Sequence, residues 1–241
     1  MRLLLPDERP LEPDDLHDLY DTGDEPCLRA GFVLSADGGV AHDGGSRPLQ
    51  TPADEAVFHA LRAVADAVVV GAGTARTEGY GPVRPRAGGR AWRARRGLAE
   101  APTLVLVSRS LDLDPADRCF QGSSLVVTSA ASDPDRRARL AEVTEVIVAG
   151  DEHVDLQLAV RVLHERGLTR LLCEGGPSLL AAMLRQGLLD ELCLTLTPLL
   201  LGTSPQLLSE PLPAPRRLDL LSLVDGGQSV LLARYALVDD A

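Results

Sequence analysis

The sequence predicts an α/β fold, with a mostly parallel central sheet flanked by helices and an antiparallel C-terminal edge. Short apolar segments alternate with amphipathic helices along the 241 residues, a pattern that indicates right-handed crossovers and parallel strands. The exception is the C-terminal end, where the last two predicted strands, residues 191–201 and 231–237, have no clear helix between them. Those two strands are therefore expected to pair antiparallel.

The first 25 residues are predicted to be a lead-in segment, and residues 26–241 a single domain. The lead-in is acidic and contains prolines, with one short helix over residues 14–20. A strand over residues 28–35 follows, and then a turn at Asp37, Gly38 and Gly39. No linker or internal repeat appears after that point, which favours one domain over two.

The helix over residues 52–64 has a regular apolar face. Val57, Ala60, Leu61 and Val64 are spaced i, i+3, i+4 and i+7, which places them on one side of a helix. Thr51 stands at the N-cap position with a proline directly after it, and helices commonly begin in this way. We expect an amphipathic helix packed against the sheet.

The remaining elements continue the alternation as far as the C-terminal edge. Further strands are predicted over residues 67–70, 103–107, 125–128, 143–149 and 170–173, and further helices over residues 135–141, 156–163 and 179–186. Residues 84–96 are rich in arginine and glycine. They are predicted to form a mobile, solvated loop, with a lid on the substrate side as the alternative.

The composition argues against nucleic acids and membranes as partners. The net charge of −11 opposes binding to phosphate backbones and anionic lipid surfaces, and no apolar run is long enough to span a bilayer. The four cysteines form no CxxC pair, and the histidines show no metal-ligand spacing. We therefore expect a cytoplasmic protein without a metal site.

A glycine pair between a strand and a helix is the strongest local signal. The strand over residues 170–173 is followed by Glu174, then by Gly175, Gly176, Pro177 and Ser178. Two glycines at such a turn let backbone N–H groups approach an anion at the helix N-terminus. This pattern predicts a phosphate-bearing ligand held beside a carboxylate.

A second glycine turn, at Gly71 and Gly73, ends another predicted parallel strand. The dinucleotide-binding pattern needs a third glycine, and that position is Arg76 here. Taken alone, the motif indicates only a tight turn. Ligands of open α/β sheets bind outside the carboxyl ends of the strands, so the two glycine turns could hold one cofactor from two sides.

A third strand ends in Ser108, Arg109 and Ser110. Two hydroxyls and a guanidinium suit a phosphate monoester, because arginine can bind phosphate bidentately. The motif therefore favours NADPH over NADH through the 2′-phosphate, and a surface turn is the alternative.

Asp37 leaves a similar choice open. An Asp-Gly pair is most often a turn, but a carboxylate there could orient a substrate or relay a proton.

In order along the chain, these motifs resemble the reductase domain of riboflavin biosynthesis, which shares the dihydrofolate reductase-like fold. The resemblance covers about residues 28–237 and is near to stand-alone members of actinobacterial type. It rests on Ser35-Ala-Asp-Gly38, Ala65-Asp-Ala-Val-Val-Val-Gly-Ala-Gly-Thr74, Glu174-Gly-Gly-Pro-Ser-Leu179 and Leu189-Asp-Glu-Leu192 to Pro198-Leu-Leu-Leu-Gly202. Two departures, Gly39 and the segment 78–82, lie where the substrate should bind.

The resemblance implies NADPH-dependent reduction of 5-amino-6-(5-phosphoribosylamino)uracil to its ribitylamino form. The family's cofactor positions fall on Val33, Thr74, Glu78 and Ser108, and on the run Gly175, Gly176, Pro177, Ser178 and Leu179. Its substrate positions fall on Ser46, Arg62 and Glu174, with Arg84 as a partner for the substrate phosphate. The imine nitrogen needs a proton, for which Asp37, Glu174 or an ordered water are the candidates.

Two other functions remain open from the sequence. One is reduction of another heterocycle, such as the pteridine dihydrofolate, because the fold is shared and the Gly39 loop is altered. The other is a non-catalytic protein that binds NADPH. The resemblance also implies a homodimer, and pairing of residues 190–202 between subunits would explain their apolar character as well as a buried central strand does.

Overall fold

One eleven-stranded sheet organises the chain in the computed structural model, which describes residues 1–12 and 14–238. The strand order across the sheet is β2-β1-β10-β11-β9-β3-β8-β4-β5-β6-β7. The strands are β1 (Arg2–Leu5), β2 (Arg9–Pro10), β3 (Cys27–Ser35), β4 (Ala67–Gly71), β5 (Thr103–Val107), β6 (Ser124–Thr128), β7 (Glu145–Val148), β8 (Arg170–Cys173), β9 (Glu191–Thr197), β10 (Arg217–Gly227) and β11 (Val230–Val238).

The predicted fold class is confirmed. All neighbouring strands from β9 through β3, β8, β4, β5 and β6 to β7 pair in parallel. The strands on the other side of β9 are antiparallel: β11 pairs with β9, and β10 pairs with β11. The carboxyl ends of the parallel strands therefore meet along one edge, which is where a ligand site is expected in such sheets.

Helices cover both faces of this sheet. One core layer takes apolar residues from α1, α2 and α4, and the other takes them from α6 and α7. The helices are α1 (Asp15–Tyr20), α2 (Pro52–Val64), α3 (Ala72–Thr77), α4 (Ala87–Arg95), α5 (Pro134–Ala141), α6 (Leu156–Glu165) and α7 (Pro177–Arg185). No helix in the described ranges is both long and apolar enough to cross a membrane.

Helix α2 forms as its sequence predicts. The Thr51 hydroxyl accepts the Asp54 backbone N–H at 3.2 Å and caps the first turn. Val57, Ala60 and Leu61 are all buried against the sheet, so the apolar face is fixed over the whole length of the helix. This orientation decides which other side chains of α2 face the carboxyl edge of the sheet.

The prediction of a mobile loop over residues 84–96 is wrong, because α4 occupies most of this segment. Trp92 is 2% exposed and its indole N–H donates to the Asp18 carboxylate at 3.0 Å. Arg93 is also buried and donates to main-chain carbonyl oxygens, among them that of Ala63 at 2.9 Å. Gly89 permits close packing, since an added Cβ would lie 2.9 Å from the Ala63 Cβ. Glycine here serves contact between helices, a role that local sequence patterns do not distinguish from flexibility.

Both ends of the chain contribute strands that the sequence analysis did not identify. We expected residues 1–25 to be a lead-in, whereas β1 pairs with β10 within the same sheet. Strand β10 was missed, since the turn that joins it to β11 carries no recognised hairpin pair. The predicted strand over residues 191–201 ends at Thr197, because Pro198 cannot continue the ladder.

Candidate active site

A cavity of about 820 Å³ opens at the carboxyl ends of β3 and β8 and reaches along helix α2. A second cavity of about 440 Å³ lies at the ends of β4 and β5 beside the first residues of α7. Gly73 lines both cavities, so they adjoin at the start of α3. The two cavities together give this edge of the sheet room for two ligands side by side.

A polar cluster of Arg62, Tyr80 and Glu174 lies at the wall of the larger cavity, which Tyr80 and Glu174 line. The Arg62 Nε and Nη2 atoms donate to the two oxygens of Glu174 at 2.7 and 2.6 Å. The Tyr80 hydroxyl donates to Glu174 Oε2 at 2.6 Å. Glu174 follows β8 directly, Arg62 comes from the last turn of α2, and Tyr80 follows α3. Three separate elements therefore fix one carboxylate.

Burial strengthens this cluster. Burial and the adjacent Glu174 charge raise the pKa of Tyr80 well above its ordinary value, so its hydroxyl stays protonated. Burial alone would lower the pKa of Arg62, but the charge of Glu174 outweighs it and the net pKa is raised. The Arg62 guanidinium also lies 4.0 Å from the centre of the Phe58 ring, which adds a cation–π contact. The arrangement is a charged pair held rigidly at the cavity wall.

Three residues predicted to bind the cofactor and one predicted to face the substrate line the larger cavity together. Val33, Thr74 and Glu78 line this cavity, and so does Ser46. The Ser46 backbone N–H donates to the Glu78 carboxylate at 2.8 Å. Glu78 thus ties the loop after β3 to the end of α3.

The second cavity gathers the three turn motifs that the sequence analysis singled out. It is lined by Gly71, Gly73, Ser108, Arg109, Ser178 and Leu179, among others. The two glycine turns are bonded to each other, because the Gly71 N–H donates to the Gly175 carbonyl at 2.7 Å. The strand ends and the N-terminus of α7 therefore form one surface.

The glycine pair is required for this close approach. A Cβ on Gly176 would lie 2.5 Å from the Thr74 hydroxyl oxygen, and Gly175 has φ +87° with Phe32 2.7 Å from its would-be Cβ. The peptide between the two glycines is cis. Neither position accepts a side chain without displacing a neighbour that lines the larger cavity.

The structure does not support Asp37 as a proton donor, and this prediction needs correction. Asp37 lines neither cavity. Its carboxylate accepts the Ser35 hydroxyl at 2.6 Å and the Gly202 N–H at 2.7 Å. These hydrogen bonds lower the pKa of Asp37 to about 2, so it holds no proton at neutral pH. Its role is that of a turn residue, the alternative that the sequence left open.

Arg84 does not lie where the resemblance places a partner for the substrate phosphate. Its side chain is exposed and belongs to neither cavity lining. Residues 81–83 lead from the active-site cluster towards α4, and this path carries Arg84 to the surface. Arg62, which the same resemblance assigns to the substrate, is also absent from the cavity lining, but it donates to Glu174, which lines the larger cavity.

Sequence reasoning also missed functional candidates in the larger cavity. Tyr80 was noted only as part of a departure from the family pattern, although it binds Glu174. Asp54, on the inner side of α2, carried no functional prediction, although it lines the cavity. Its position three residues before Val57, in phase with the apolar face, was the signal that could have identified it.

Comparison with known proteins agrees with this geometry. The model of the RibD C-terminal domain matches residues 26–232. A 2,5-diamino-6-ribosylamino-4(3H)-pyrimidinone 5′-phosphate reductase of Methanothermobacter thermautotrophicus is 32% identical over 179 residues, which are 73% of this chain and 80% of the relative. The sequence similarity thus covers the strands and helices that form both cavities.

Solved structures extend the similarity to the whole fold. A pyrimidine reductase-like protein from Corynebacterium diphtheriae superposes with a TM-score of 0.86 at 31% identity, over 95% of this chain and 100% of that one. The riboflavin biosynthesis reductase Rib7 of Saccharomyces shares the fold alone, with a TM-score of 0.67 at 18% identity over 90% and 92% of the two chains. The chain belongs to the RibD C-terminal domain family, the reductase family of riboflavin biosynthesis.

Proposed function

We propose that this protein is an NADPH-dependent reductase of a phosphorylated ribosylamino-pyrimidine in riboflavin biosynthesis. The observation that carries the proposal is the Arg62–Glu174–Tyr80 cluster, which lies beside a second cavity built from glycine turns. The sequence predicts 5-amino-6-(5-phosphoribosylamino)uracil as the substrate. The Methanothermobacter relative is named for the diaminopyrimidinone, whose ring has an amino group at C2 in place of an oxygen.

The second cavity fits the phosphate-bearing part of NADPH. Gly73 has nothing within 4 Å of a would-be Cβ, so backbone can approach a ligand there. The N-terminus of α7 brings the positive end of the helix dipole and the Ser178 backbone N–H to the cavity, which suits a pyrophosphate, and Ser108 and Arg109 suit the 2′-phosphate. When bound, NADPH supplies the hydride for the reduction.

The residues of the larger cavity bind and orient the substrate in this proposal. Glu174 presents its carboxylate to the sugar side of the substrate, and Arg62 acts behind it by donating to both of its oxygens. Tyr80 stays protonated and holds one oxygen of Glu174 in place, which limits the carboxylate to one orientation. A fixed negative charge at this point favours the positive charge that develops when the imine nitrogen gains its proton.

The direct test is NADPH oxidation with each of three substrates at saturating cofactor. The two ring forms of the ribosylamino-pyrimidine phosphate test the proposal, and dihydrofolate tests the pteridine alternative. Turnover of either pyrimidine supports the proposal. Turnover of dihydrofolate alone would replace it, and NADPH binding without oxidation in all three reactions would indicate the non-catalytic protein.

Replacement of Gly73 by alanine separates cofactor binding from folding. Alanine favours a helix over glycine by about 1 kcal/mol, and Gly73 lies inside α3 with open space at its Cβ. We expect the melting temperature to stay level or rise, while the dissociation constant for NADPH rises about tenfold because the methyl group occupies the shared cavity. Thermal unfolding and fluorescence titration measure the two effects.

If Gly73→Ala binds NADPH as tightly as the parent chain does, the cofactor binds somewhere other than this cavity. Ala75→Gly is the matched control, since Ala75 is buried in the same helix as Gly73 but lines neither cavity. It should lower stability through the weaker helix propensity of glycine, and leave cofactor affinity unchanged for the fraction that is folded.

We also propose a homodimer, in which β10 carries the interface. Pairing through residues 190–202 is not required to explain their apolar character, because β9 is a central strand between β11 and β3. Exposed leucines lie instead on β10, at Leu218, Leu220 and Leu221, and on the neighbouring β11, at Leu231. Apolar patches of this kind often mark contact surfaces.

The double substitution Leu218→Glu and Leu220→Glu should convert the dimer to a monomer. Two carboxylates in an apolar interface would be buried without partners, which costs several kcal/mol. Light scattering at two concentrations measures the mass. The control is Val143→Glu, because this valine is 44% exposed and precedes β7, at the other edge of the sheet. A parent chain that is monomeric at every concentration would overturn the proposal.

A cytoplasmic location completes the proposal. All four cysteines are free thiols in the interior, at Cys27, Cys119, Cys173 and Cys193. Burial raises the pKa of the Cys119 thiol to about 11, so it is a poor nucleophile at neutral pH. Unbridged cysteines are typical of proteins in a reducing compartment.

A further inference from the structure

Asp54 is a buried carboxylate in the larger cavity that stands apart from the Glu174 cluster. Its residue is 6% exposed, and it lines the cavity from the first turn of α2. Among the residues that the structure describes, the other two carboxylates buried to this degree, Glu174 and Glu191, each pair with arginine. Asp54 has no cation partner within residues 1–12 and 14–238, so its charge is uncompensated there.

The contacts of Asp54 leave acceptor capacity facing the cavity. The Thr195 hydroxyl on β9 donates to it, and Thr195 lines the same cavity. Burial raises the pKa of Asp54, and this hydrogen bond offsets only part of the rise. A carboxylate has about four lone-pair sites, so one hydroxyl leaves most of them free. Buried charge without a partner is costly, and such groups are concentrated at functional sites.

The walls beside Asp54 suit a flat ring. Val57 and Leu61 follow on the same side of α2 and line the same cavity, as does Gln50, which precedes the helix. Arg62 is eight residues further along, about 12 Å at the helical rise per residue. A ring at Asp54 therefore leaves room for a ribosyl chain that extends towards Arg62 and Glu174.

We propose that Asp54, held by Thr195, binds the C2–N3 edge of the substrate ring and selects a pyrimidine with an amino group at C2. This inference rests on the proposed function and names the substrate within it. A 2-amino-4(3H)-pyrimidinone presents two N–H donors on that edge, one from N3 and one from the C2 amino group. Both meet acceptor oxygens of a carboxylate, in the bidentate geometry that charge-assisted pairs favour.

The uracil form fits this edge poorly. It offers one N–H donor at N3, flanked by a carbonyl oxygen at C2 that would face a carboxylate oxygen. Acceptor against acceptor leaves a buried polar group unsatisfied, and sites built for a given hydrogen-bond pattern reject analogues that lack it. We expect kcat/KM for the 2-amino ring to exceed that for the uracil by about 100-fold, in the range that one such mismatch produces.

Asp54→Asn gives a reciprocal test, because its amide presents one donor and one acceptor. That pattern complements the N3–H and C2 carbonyl of uracil and mismatches the two donors of the 2-amino ring. The variant should lose at least tenfold in kcat/KM for the 2-amino substrate and gain for the uracil substrate. Glu55→Gln removes an adjacent charge that is half exposed and outside the cavity, and it should leave the ratio of the two values unchanged.

Binding of the bare rings supplies a readout that does not depend on turnover. Calorimetric titration with 2,6-diamino-4(3H)-pyrimidinone and with 6-aminouracil compares two probes that differ only at C2. The parent chain should prefer the diamino ring, and Asp54→Asn should invert the preference without loss of melting temperature. Turnover of a pyrimidine with no preference at C2, or an unchanged preference in Asp54→Asn, would overturn the inference and leave the proposed function intact. Absence of pyrimidine turnover, with the ring preference present, would overturn the proposed function alone.

Discussion

Glu174→Gln should lower kcat by about 100- to 1000-fold, the loss typical when one preorganised polar group is removed from an active site. The amide can offer only one oxygen, whereas three donors from Arg62 and Tyr80 converge on the two oxygens of Glu174. Whichever way the amide is turned, an NH2 group faces at least one N–H or O–H donor. The cluster therefore loses both its charge balance and its fixed geometry.

The dissociation constant for NADPH should change by less than about threefold in this variant, because Glu174 is absent from the lining of the second cavity and distant sites contribute nearly independently. Single-turnover kinetics and fluorescence titration measure the two quantities separately. Equal turnover in Glu174→Gln and the parent chain would remove Glu174 from the mechanism.

A second, partly buried pair provides a matched control for the cost of the lost charge. Asp66 accepts Arg170 Nε and Nη2 at 3.0 and 2.6 Å, the same bidentate arrangement as in the active-site pair. Asp66 stands before β4, at the opposite end of that strand from Gly71, and lines neither cavity. Asp66→Asn should lower the melting temperature as Glu174→Gln does, but leave kcat within about twofold. If both variants lose kcat to a similar extent, the loss in Glu174→Gln results from impaired folding and not from the missing carboxylate.

The parts of the fold that follow from local patterns were predictable from the sequence. Helix α2 has an N-cap threonine and an apolar face, and its bounds were correct as predicted. The glycine turns at Gly71 and Gly175 were identified as a pair because each ends an apolar strand. Their hydrogen bond, from the Gly71 N–H to the Gly175 carbonyl, brings them together as the parallel sheet implies.

The errors arose where tertiary contacts decide the outcome. Gly89 reads as a loop residue, yet it lets α4 pack against α2. Asp37 follows a strand, at a position where a catalytic carboxylate can stand. Its carboxylate nevertheless accepts hydrogen bonds from Ser35 and Gly202, which hold it in a turn. Asp54 shows the reverse, since only the cavity reveals that this acidic residue of a helix N-terminus faces a ligand site. Side-chain partners that are distant in sequence determine the role of each of these residues.

Arg109→Gln should reduce the preference for NADPH over NADH by about 10- to 100-fold, the contribution of a hydrogen bond to a charged phosphate. Arg109 follows β5, lines the second cavity and has no carboxylate partner in the described part of the chain. Its nearest polar contact is His153 Nδ1 at 3.4 Å. Arg76 lines the same cavity but is paired with Asp112, so Arg109 is the guanidinium that is free to bind a phosphate monoester.

The ratio of kcat/KM for the two cofactors measures this preference, and ionic strength gives an independent check. Screening weakens an exposed arginine–phosphate contact, so KM for NADPH should rise with salt in the parent chain and rise less in Arg109→Gln. Arg139→Gln, at an exposed arginine of α5 outside both cavities, should behave as the parent chain does. If the ratio of kcat/KM for NADPH and NADH is unchanged in Arg109→Gln but lowered in Arg76→Gln, then Arg76 is the residue that binds the 2′-phosphate. Its ion pair with Asp112 would then have to open for the cofactor. Such a result would retain the cavity as the cofactor site and replace only the residue that distinguishes NADPH from NADH.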